Sequence, residues 1–337
     1  MINNILIYSL ISFLILILIA KISYRLNLLD LPNKRSVHIN PTAYTGGVAL
    51  CLIYALAIFL FDFSSEKLNL ILSIAFLVGI VGFIDDKFGL NVGGKLSLQI
   101  IPIIYLVVLE HLSLNSLGDY DYFKIELNSF SIPFTLLAIL FLINSFNYFD
   151  GLDGLLGSTT ISALSIIIFL IPDRNISLFL IIILLPIIFF LCFNFSLFKL
   201  PKLFLGDSGS LLLGFVIAFI LIFLAIEKIV HPILLAFSVS IFVYEFISIN
   251  LIRLKNKKDL FVAGQDHLHH QLFKYTNSIF QTNLIVFLIN ILLFVIGYVS
   301  FMLINKMASL IFFITFFLIY YILRNKYQKK RINIKIF

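Results

Sequence analysis

Four separate segments of the sequence carry clusters of side chains that could do acid, metal or phosphate chemistry. The first is GFIDDKFGL, in which Asp85 and Asp86 stand side by side at the end of an apolar run. Two adjacent carboxylates repel each other unless a cation or a proton lies between them. The pair therefore suggests a base or a metal site, and the alternative is a solvated helix end.

The second cluster is NSFNYFDGLDGL, where a polar residue recurs at every third position. These residues are Asn144, Asn147, Asp150 and Asp153. Because an ideal α-helix has 3.6 residues per turn, Asn144 and Asp153 would lie on opposite sides of it. The four share a face only if the helix tightens or breaks, and Gly151 and Gly154 allow a break. Irregular backbone at membrane depth is tolerated where it lines a cavity, so the segment suggests a polar cavity. The alternative is a span with a polar cap.

The third cluster is KLFLGDSGSLLLG, in which Asp207 lies just before an apolar run. A helix N-terminus favours phosphate, and an aspartate at that place can hold a cation. Mg²⁺ prefers hard oxygen ligands and bridges to phosphates. This pattern indicates a metal or phosphate site, and the alternative is a simple N-cap.

The fourth cluster is QDHLHHQLF, with His267, His269 and His270 close together after Asp266. Three histidines at this spacing could bind zinc, or they could donate hydrogen bonds to a diphosphate. No cysteine lies nearby, and no glutamate stands in a zinc-protease arrangement, so we favour phosphate contact. Arg253 and the lysines that follow it supply positive charge before this segment. A weaker fifth segment, RSVHINPTAYTGG, contains Arg35 and His38, which could meet an anion.

The composition determines what elements must position these clusters. Of 337 residues, 61% are hydrophobic and 12% are charged, against about 25% charged in an average soluble domain. This excludes an ordinary soluble enzyme and a disordered chain. Since a span needs about 20 apolar residues, the sequence predicts an all-α, polytopic integral membrane helical bundle of about eleven spans. They lie near 4–22, 47–62, 68–84, 98–114, 130–148, 157–171, 176–195, 208–226, 231–252, 283–304 and 308–323.

The basic residues predict the orientation of the bundle. With the N-terminus outside and the C-terminus inside, most of the 24 lysines and arginines fall on the inner side, as the positive-inside rule requires. All four clusters then lie at the cytoplasmic face. We expect one transmembrane catalytic domain over 1–323, a basic cytoplasmic tail over 324–337, and residence in the cytoplasmic (inner) membrane.

Carboxylates, amides, histidines and basic groups at one membrane face suit phosphoryl transfer between a lipid phosphate and a soluble donor. The sequence has no G-x-x-x-x-G-K-[ST] loop and no G-x-S-x-G elbow, which excludes a P-loop ATPase and an α/β-hydrolase. A transporter is the alternative of another class, but its polar groups would lie near the midplane between repeats. A catalytically inactive scaffold is a further alternative.

From about residue 30 to 273 the chain resembles the polyprenyl-phosphate N-acetylhexosamine-1-phosphate transferases. The resemblance rests on the proline-to-diglycine turn at 41–47, the Asp-Asp pair, NxxNxxDGxDGL, FLGDxGS and HxHH. It implies an enzyme that transfers sugar-1-phosphate from a UDP-sugar to undecaprenyl phosphate, releases UMP, and requires Mg²⁺, with Mn²⁺ as a second choice. A homodimer is a further expectation, and no nucleic acid is involved.

The resemblance also implies roles for individual residues. Asp85 is expected to act as base or to position the lipid phosphate, with Asp86 beside it, and Asp207 to bind the metal together with Asn147. We expect the other site residues to bind substrate: Asn144, Asp150, Asp153, Arg253, His267, His269 and His270.

The chain departs from the family pattern at a few positions. Gly89 stands where the acidic motif often has a third acid, and Glu245 stands where aspartate is common. HxHH resembles the branch that initiates O-antigen, common-antigen and teichoic-acid chains. The phospho-MurNAc-pentapeptide translocase branch has three adjacent histidines, a run that Leu268 interrupts here, so that branch is the second alternative.

Overall fold

A computed structural model describes residues 2–32, 39–61, 63, 65–257 and 266–334. Arg35 and His38, named above as anion-contact candidates, lie outside the described residues. Thirteen α-helices occur in the described ranges, and a π-helical turn, Tyr105–Leu109, follows α4 directly. The helices are α1 (Ile2–Arg25), α2 (Gly46–Leu60), α3 (Glu66–Phe88), α4 (Val92–Ile104), α5 (Ser131–Phe149), α6 (Leu155–Leu170), α7 (Arg174–Asn194), α8 (Gly206–Ile226), α9 (Pro232–Ser238), α10 (Ser240–Lys255), α11 (Leu268–Thr276), α12 (Ile279–Leu303) and α13 (Lys306–Ile334).

Strands are few and short in the described chain. β1 (Leu29–Asp30) pairs with β2 (Thr42–Ala43), and β3 (Ser116–Asp119) forms an antiparallel hairpin with β4 (Lys124–Glu126). The hairpin lies in the loop between α4 and α5 and was not expected from the sequence. Helices make up nearly all of the regular structure, so the predicted all-α membrane class is confirmed.

Each of the eleven predicted apolar runs coincides with a helix or a helix pair. Eight helical segments of the described chain are long and apolar enough to cross a membrane, and the bent pair α9–α10 would be a ninth. The two remaining runs form the shorter apolar helices α2 and α6. The predicted class of membrane protein is therefore confirmed, whereas the number of true spans and their orientation stay predictions.

The run predicted as one span over 231–252 is broken in the structure. Helices α9 and α10 meet at an angle of 75°. Asn290 of α12 satisfies the backbone at this break, because its Nδ2 donates to the Ser238 carbonyl at 2.9 Å and its Oδ1 accepts from the Ile241 amide at 3.3 Å. Backbone groups freed inside a bundle need such partners. The break depends on a residue about 50 positions away, so the local sequence does not reveal it.

The last helix continues across the boundary predicted between residues 323 and 324. α13 runs to Ile334 without interruption, and the Arg324 side chain is buried. Residues just beyond 323 are thus part of the packed bundle.

Helix α8 lies at the centre of the bundle and packs closely against α2, α3 and α5. Glycines allow these approaches: a Cβ on Gly47 or Gly82 would collide with the backbone at the start of α8. The Gly46 and Gly47 amides also donate to the carbonyls of Phe204 and Leu205, each at 2.8 Å. The two glycines therefore begin α2 and attach it to the residues just before α8, in addition to forming the turn that the sequence suggested.

Candidate active site

A lysine that the sequence did not single out joins two of the predicted acids. Lys95 Nζ lies 2.7 Å from Asp85 Oδ2 and also forms an ion pair with Asp207 Oδ2. Asp85 lies in the last turn of α3, Lys95 in the first turns of α4, and Asp207 in the first turn of α8. Three helix ends therefore converge on one ammonium group.

The chain reversal between α3 and α4 places Lys95. Gly89 ends α3 with a left-handed φ of 64°, which glycine adopts without strain. The Asp85 carboxylate accepts from the Leu90 amide at 2.8 Å, and Asn91 caps α4 by accepting from the Gly94 amide at 2.7 Å. A glycine at position 89, where the family often has an acid, thus helps to form the turn.

Asp86 has a different position from its neighbour. Its carboxylate accepts from the Asp207 amide at 2.9 Å and from the Ser208 amide at 3.2 Å. A carboxylate at a helix N-terminus satisfies free N–H groups and interacts favourably with the helix dipole. Asp86 therefore fixes the start of α8 and with it Asp207, and its predicted catalytic role stays a prediction.

The two asparagines of the second cluster are not equivalent. Asn147 Nδ2 donates to Asp207 Oδ1 at 2.7 Å and to Ser210 Oγ at 2.9 Å. A half-turn of this amide would present its oxygen at the same place, as the predicted metal ligand requires. Asn144 donates to the Leu140 carbonyl of its own helix at 2.7 Å. The structure thus brings Asn147 into the acidic cluster, whereas Asn144 bonds within α5.

The predicted break in the second cluster is confirmed. α5 ends at Phe149, α6 begins after Gly154, and Gly154 has a left-handed φ of 71°. Asp150 is exposed on this turn. Asp153 forms an ion pair with Lys202 at 2.6 Å, and its carbonyl accepts from Asn283 Nδ2 at 2.8 Å.

The histidine cluster closes one side of this turn. Asp266 and His267 precede α11, and only His269 and His270 are on the helix. His269 is 2% exposed, and a Cβ on Gly151 would collide with its imidazole. The His267 ring also packs edge-on against Tyr148, at 4.8 Å between centroids. The structure therefore joins the second and fourth clusters.

Arg253 is buried, and its guanidinium binds a carboxylate of the protein. It donates to both oxygens of Asp266, at 2.8 and 3.1 Å. Although burial acts to raise it, the pKa of Asp266 is held below its ordinary value by this guanidinium. Arg253 is thus joined through Asp266 to the segment that carries the histidines, its charge is balanced there, and its predicted role in substrate binding stays a prediction.

Burial determines the charge of two histidines. Removal from water lowers the pKa of His267, although Glu245 acts in the opposite direction, and it lowers the pKa of His269 well below the ordinary value. Within the part of the chain that is described, His269 Nε2 has no hydrogen-bond partner. A neutral imidazole with an unpartnered nitrogen can donate to or accept from a polar substrate group.

The donor set fits a hard divalent cation that shares its ligands with a substrate. Asp85 and Asp207 contact the same Lys95 ammonium, so their oxygens converge. Among the residues described, no group of three or more His, Cys, Asp or Glu side chains is arranged to enclose a metal. Mg²⁺ commonly binds through one or two carboxylates and completes its coordination with substrate phosphates and water. The chemistry of these residues suits a metal that is bound by few protein oxygens and completed by substrate phosphates and water.

Four residues that bond to the candidate site were not predicted from the sequence. Lys95 and Lys202 pair with site acids, and Glu245 accepts from the Leu268 amide in the histidine segment. The fourth, Arg324, donates to the Glu245 carboxylate. The three basic residues contributed only to the inner charge bias, and Glu245 was noted only as a departure from aspartate. A lysine within the first turns of an apolar helix, ten residues after an acid pair, is a signal that could have identified Lys95.

Comparison with known proteins adds independent information. A family model described as glycosyl transferase family 4 matches residues 68–225. A Bacillus subtilis (strain 168) protein, "probable undecaprenyl-phosphate N-acetylglucosaminyl 1-phosphate transferase", is 30% identical over 295 residues, covering 84% of this chain and 80% of the relative. The chain belongs to glycosyl transferase family 4. The resemblance stated from its motifs is thereby confirmed.

Two enterobacterial relatives give the same result. A Yersinia pestis undecaprenyl-phosphate alpha-N-acetylglucosaminyl 1-phosphate transferase is 28% identical over 322 residues, covering 92% of this chain and 87% of the relative. The Escherichia coli (strain K12) protein of the same name is 27% identical over 271 residues, covering 77% and 73%. These names favour the first interpretation over the peptidoglycan translocase alternative. The family 4 match includes Asp85, Lys95 and Asp207, and it ends before the histidine cluster.

Proposed function

We propose that this family 4 protein transfers an N-acetylhexosamine-1-phosphate from a UDP-sugar to undecaprenyl phosphate, yielding undecaprenyl-diphosphate-sugar and UMP. The observation that carries the proposal is the convergence of Asp85, Lys95 and Asp207 at three helix ends, beside the turn that bears Asp153. The site would face the cytoplasm of a bacterium, with the protein in its inner membrane and its N-terminus outside.

A divalent cation, Mg²⁺ or Mn²⁺, would be held by Asp207, with the Asn147 amide as a further oxygen donor. It would neutralise charge on the donor diphosphate. Lys95 lies between the two carboxylates and would contribute a second positive charge. Asp86 would keep Asp207 in place by capping α8, so that the ligand does not move during the reaction.

The reaction balances as a single substitution at phosphorus. An oxygen of the lipid phosphate forms a bond to the phosphorus that carries the sugar, and the bond from this phosphorus to the bridging oxygen of the UDP diphosphate breaks. UMP leaves with that oxygen. Asp85 would orient the lipid phosphate or accept its proton, and the Lys95 ammonium would offset the charge that accumulates between the two phosphates.

The donor would lie over the turn between α5 and α6. Asp153 and its partner Lys202 would contact the nucleotide, with Asp150 exposed beside them, while Asn144 and Arg253 would line the same side. The neutral imidazole of His269 would hydrogen-bond the sugar or the diphosphate, with His267 and His270 next to it. A buried neutral histidine suits hydrogen bonding in this role better than electrostatic attraction.

The direct test is UMP release by the purified protein. Undecaprenyl phosphate, Mg²⁺ and a panel of UDP-sugars are supplied, and we expect release with an N-acetylhexosamine donor and loss of release when a chelator is added. Asp207→Asn should insert normally and release no UMP, whereas Asp119→Asn, in the β3–β4 hairpin, should behave like the wild type. Normal release by Asp207→Asn would contradict the metal assignment, and no release with any donor would contradict the function.

A further inference from the structure

The segment that carries the histidines is fixed by the last helix of the chain. Glu245 of α10 is 1% exposed, and its Oε1 accepts from the Leu268 amide, the first residue of α11, at 2.7 Å. Arg324 of α13, 4% exposed, donates to both oxygens of the same carboxylate, at 2.8 and 2.9 Å. The start of α11 is therefore attached to α13 through one buried ion pair.

Further bonds join α13 to both ends of the histidine segment. Arg324 Nη2 donates to the Asp266 carbonyl at 2.8 Å, and Gln328 Nε2 donates to the same oxygen at 3.0 Å. Arg324 Nη1 donates to the Gln271 side-chain oxygen. Arg324 thus contacts residues on both sides of His269.

Because this network is buried, it requires an arginine at position 324. A buried ion pair is costly to break, because removing one partner leaves the other charge unpaired and out of water. An arginine has five N–H donors in a rigid fork, and here they reach the Glu245 carboxylate, the Asp266 carbonyl and Gln271. A lysine has one nitrogen, so it cannot reproduce this set.

We propose that Arg324 is a positioning residue for the transfer reaction: with Glu245 it holds residues Asp266–Gln271 so that the His269 imidazole lies against Gly151, beside the turn that would receive the donor. The inference rests on the proposed function, because it assigns the histidines to the UDP-sugar. The α13 residues near Arg324 are then part of the active-site support, rather than a tail.

The test compares Arg324→Met with Lys326→Met in the full-length protein. Lys326 lies two residues along α13 and is exposed, so the control removes the same charge from the same helix. We expect Arg324→Met to raise KM for the UDP-sugar by about tenfold or more, as misplacement of a contact group does. KM for undecaprenyl phosphate should stay within about twofold, since the acceptor would be bound by Asp85 and Lys95.

Hydrogen–deuterium exchange supplies a readout that needs no turnover. In Arg324→Met the amides of Leu268–Gln271 should exchange faster than in the wild type, and in Lys326→Met they should not. Unchanged exchange together with an unchanged donor KM would overturn the proposal. If the wild type releases no UMP but Arg324→Met still exchanges faster over Leu268–Gln271, the proposed function is contradicted. The attachment of the histidine segment by Arg324 is then still supported.

Two milder variants keep the proposal falsifiable if Arg324→Met does not fold. Arg324→Lys keeps the charge but loses the forked contacts, and Gln328→Leu removes only the bond to the Asp266 carbonyl. Both should raise the donor KM above that of the wild type, with exchange changes confined to the same segment. Normal donor KM and normal exchange in both variants would overturn the proposal.

Discussion

Gly151 and His269 are in direct contact in the candidate active site: the His269 imidazole occupies the space that a side chain at residue 151 would need. One residue comes from the turn after α5 and the other from α11, more than a hundred positions later. Because the two residues lie on different segments of the chain, their contact sets how closely the histidine cluster approaches the turn between α5 and α6.

Gly151→Ala should therefore displace His269 and raise KM for the UDP-sugar by about tenfold. Gly93→Ala is the matched control, since its new Cβ would meet only Asn91 Oδ1, at 3.6 Å, an ordinary contact. Steady-state kinetics with varied donor measures the effect. Equal KM values for the two variants would show that His269 does not approach the donor.

Lys95→Met should reduce the transfer rate by about a hundredfold or more, because it leaves the Asp85 and Asp207 carboxylates without their shared cation. Lys95→Arg should retain part of the rate. Lys67→Met serves as a control: Lys67 forms an exposed ion pair with Glu227, and such pairs contribute little. Initial UMP release at saturating substrates measures the difference. A fully active Lys95→Met would show that Lys95 is not needed for the transfer reaction.

Asp86→Ala should destabilise the protein by about 0.5–2 kcal/mol, the usual cost of losing a helix cap, and should also slow transfer because Asp207 loses its anchor. Asp173→Ala removes the cap of α7, where Asp173 accepts from two backbone amides, and should cost similar stability with a normal rate. Thermal unfolding in detergent and UMP release are measured for both. A slow but fully stable Asp86→Ala would instead indicate a direct catalytic role.

Acidification should destabilise the protein through His269, whose pKa is lowered in the folded state by burial. The unfolded chain binds a proton below its ordinary pKa of about 6.5, whereas the folded state binds it only at lower pH. The stabilising contribution is therefore present above about pH 6.5 and is lost as the pH falls below it, by at most about 1.4 kcal/mol per unit.

The comparison that isolates this effect uses two glutamine variants. His269→Gln should flatten the fall of the unfolding temperature between pH 7 and pH 5, whereas His111→Gln, which replaces an exposed imidazole, should leave the fall as it is in the wild type. Parallel curves for His269→Gln and wild type would show that His269 does not account for the acid sensitivity.

The apolar runs and polar clusters of the sequence predicted most of the helices and several of the residues that the structure brings together. All eleven runs are helical, because segments of about 20 apolar residues must satisfy their backbone internally in lipid. The break after Asn147 was predicted from local glycines, and Gly154 has the left-handed φ that such a break needs. Asp85, Asn147 and Asp207 were selected by residue type, by position beside apolar runs and by the family resemblance, and the structure places them in contact with one another or with Lys95.

The tertiary structure alone decided which partners these residues have. Lys95 lies between two acids, Asp86 caps a helix 121 positions away, and Arg324 supports the histidine segment. Local pattern reports the polarity and periodicity of a segment, but an ion pair or a cap depends on which helix ends meet in space. The close packing of α2, α3 and α5 on α8 determines which helix ends lie together, and a few glycines permit the backbone contact that this packing needs.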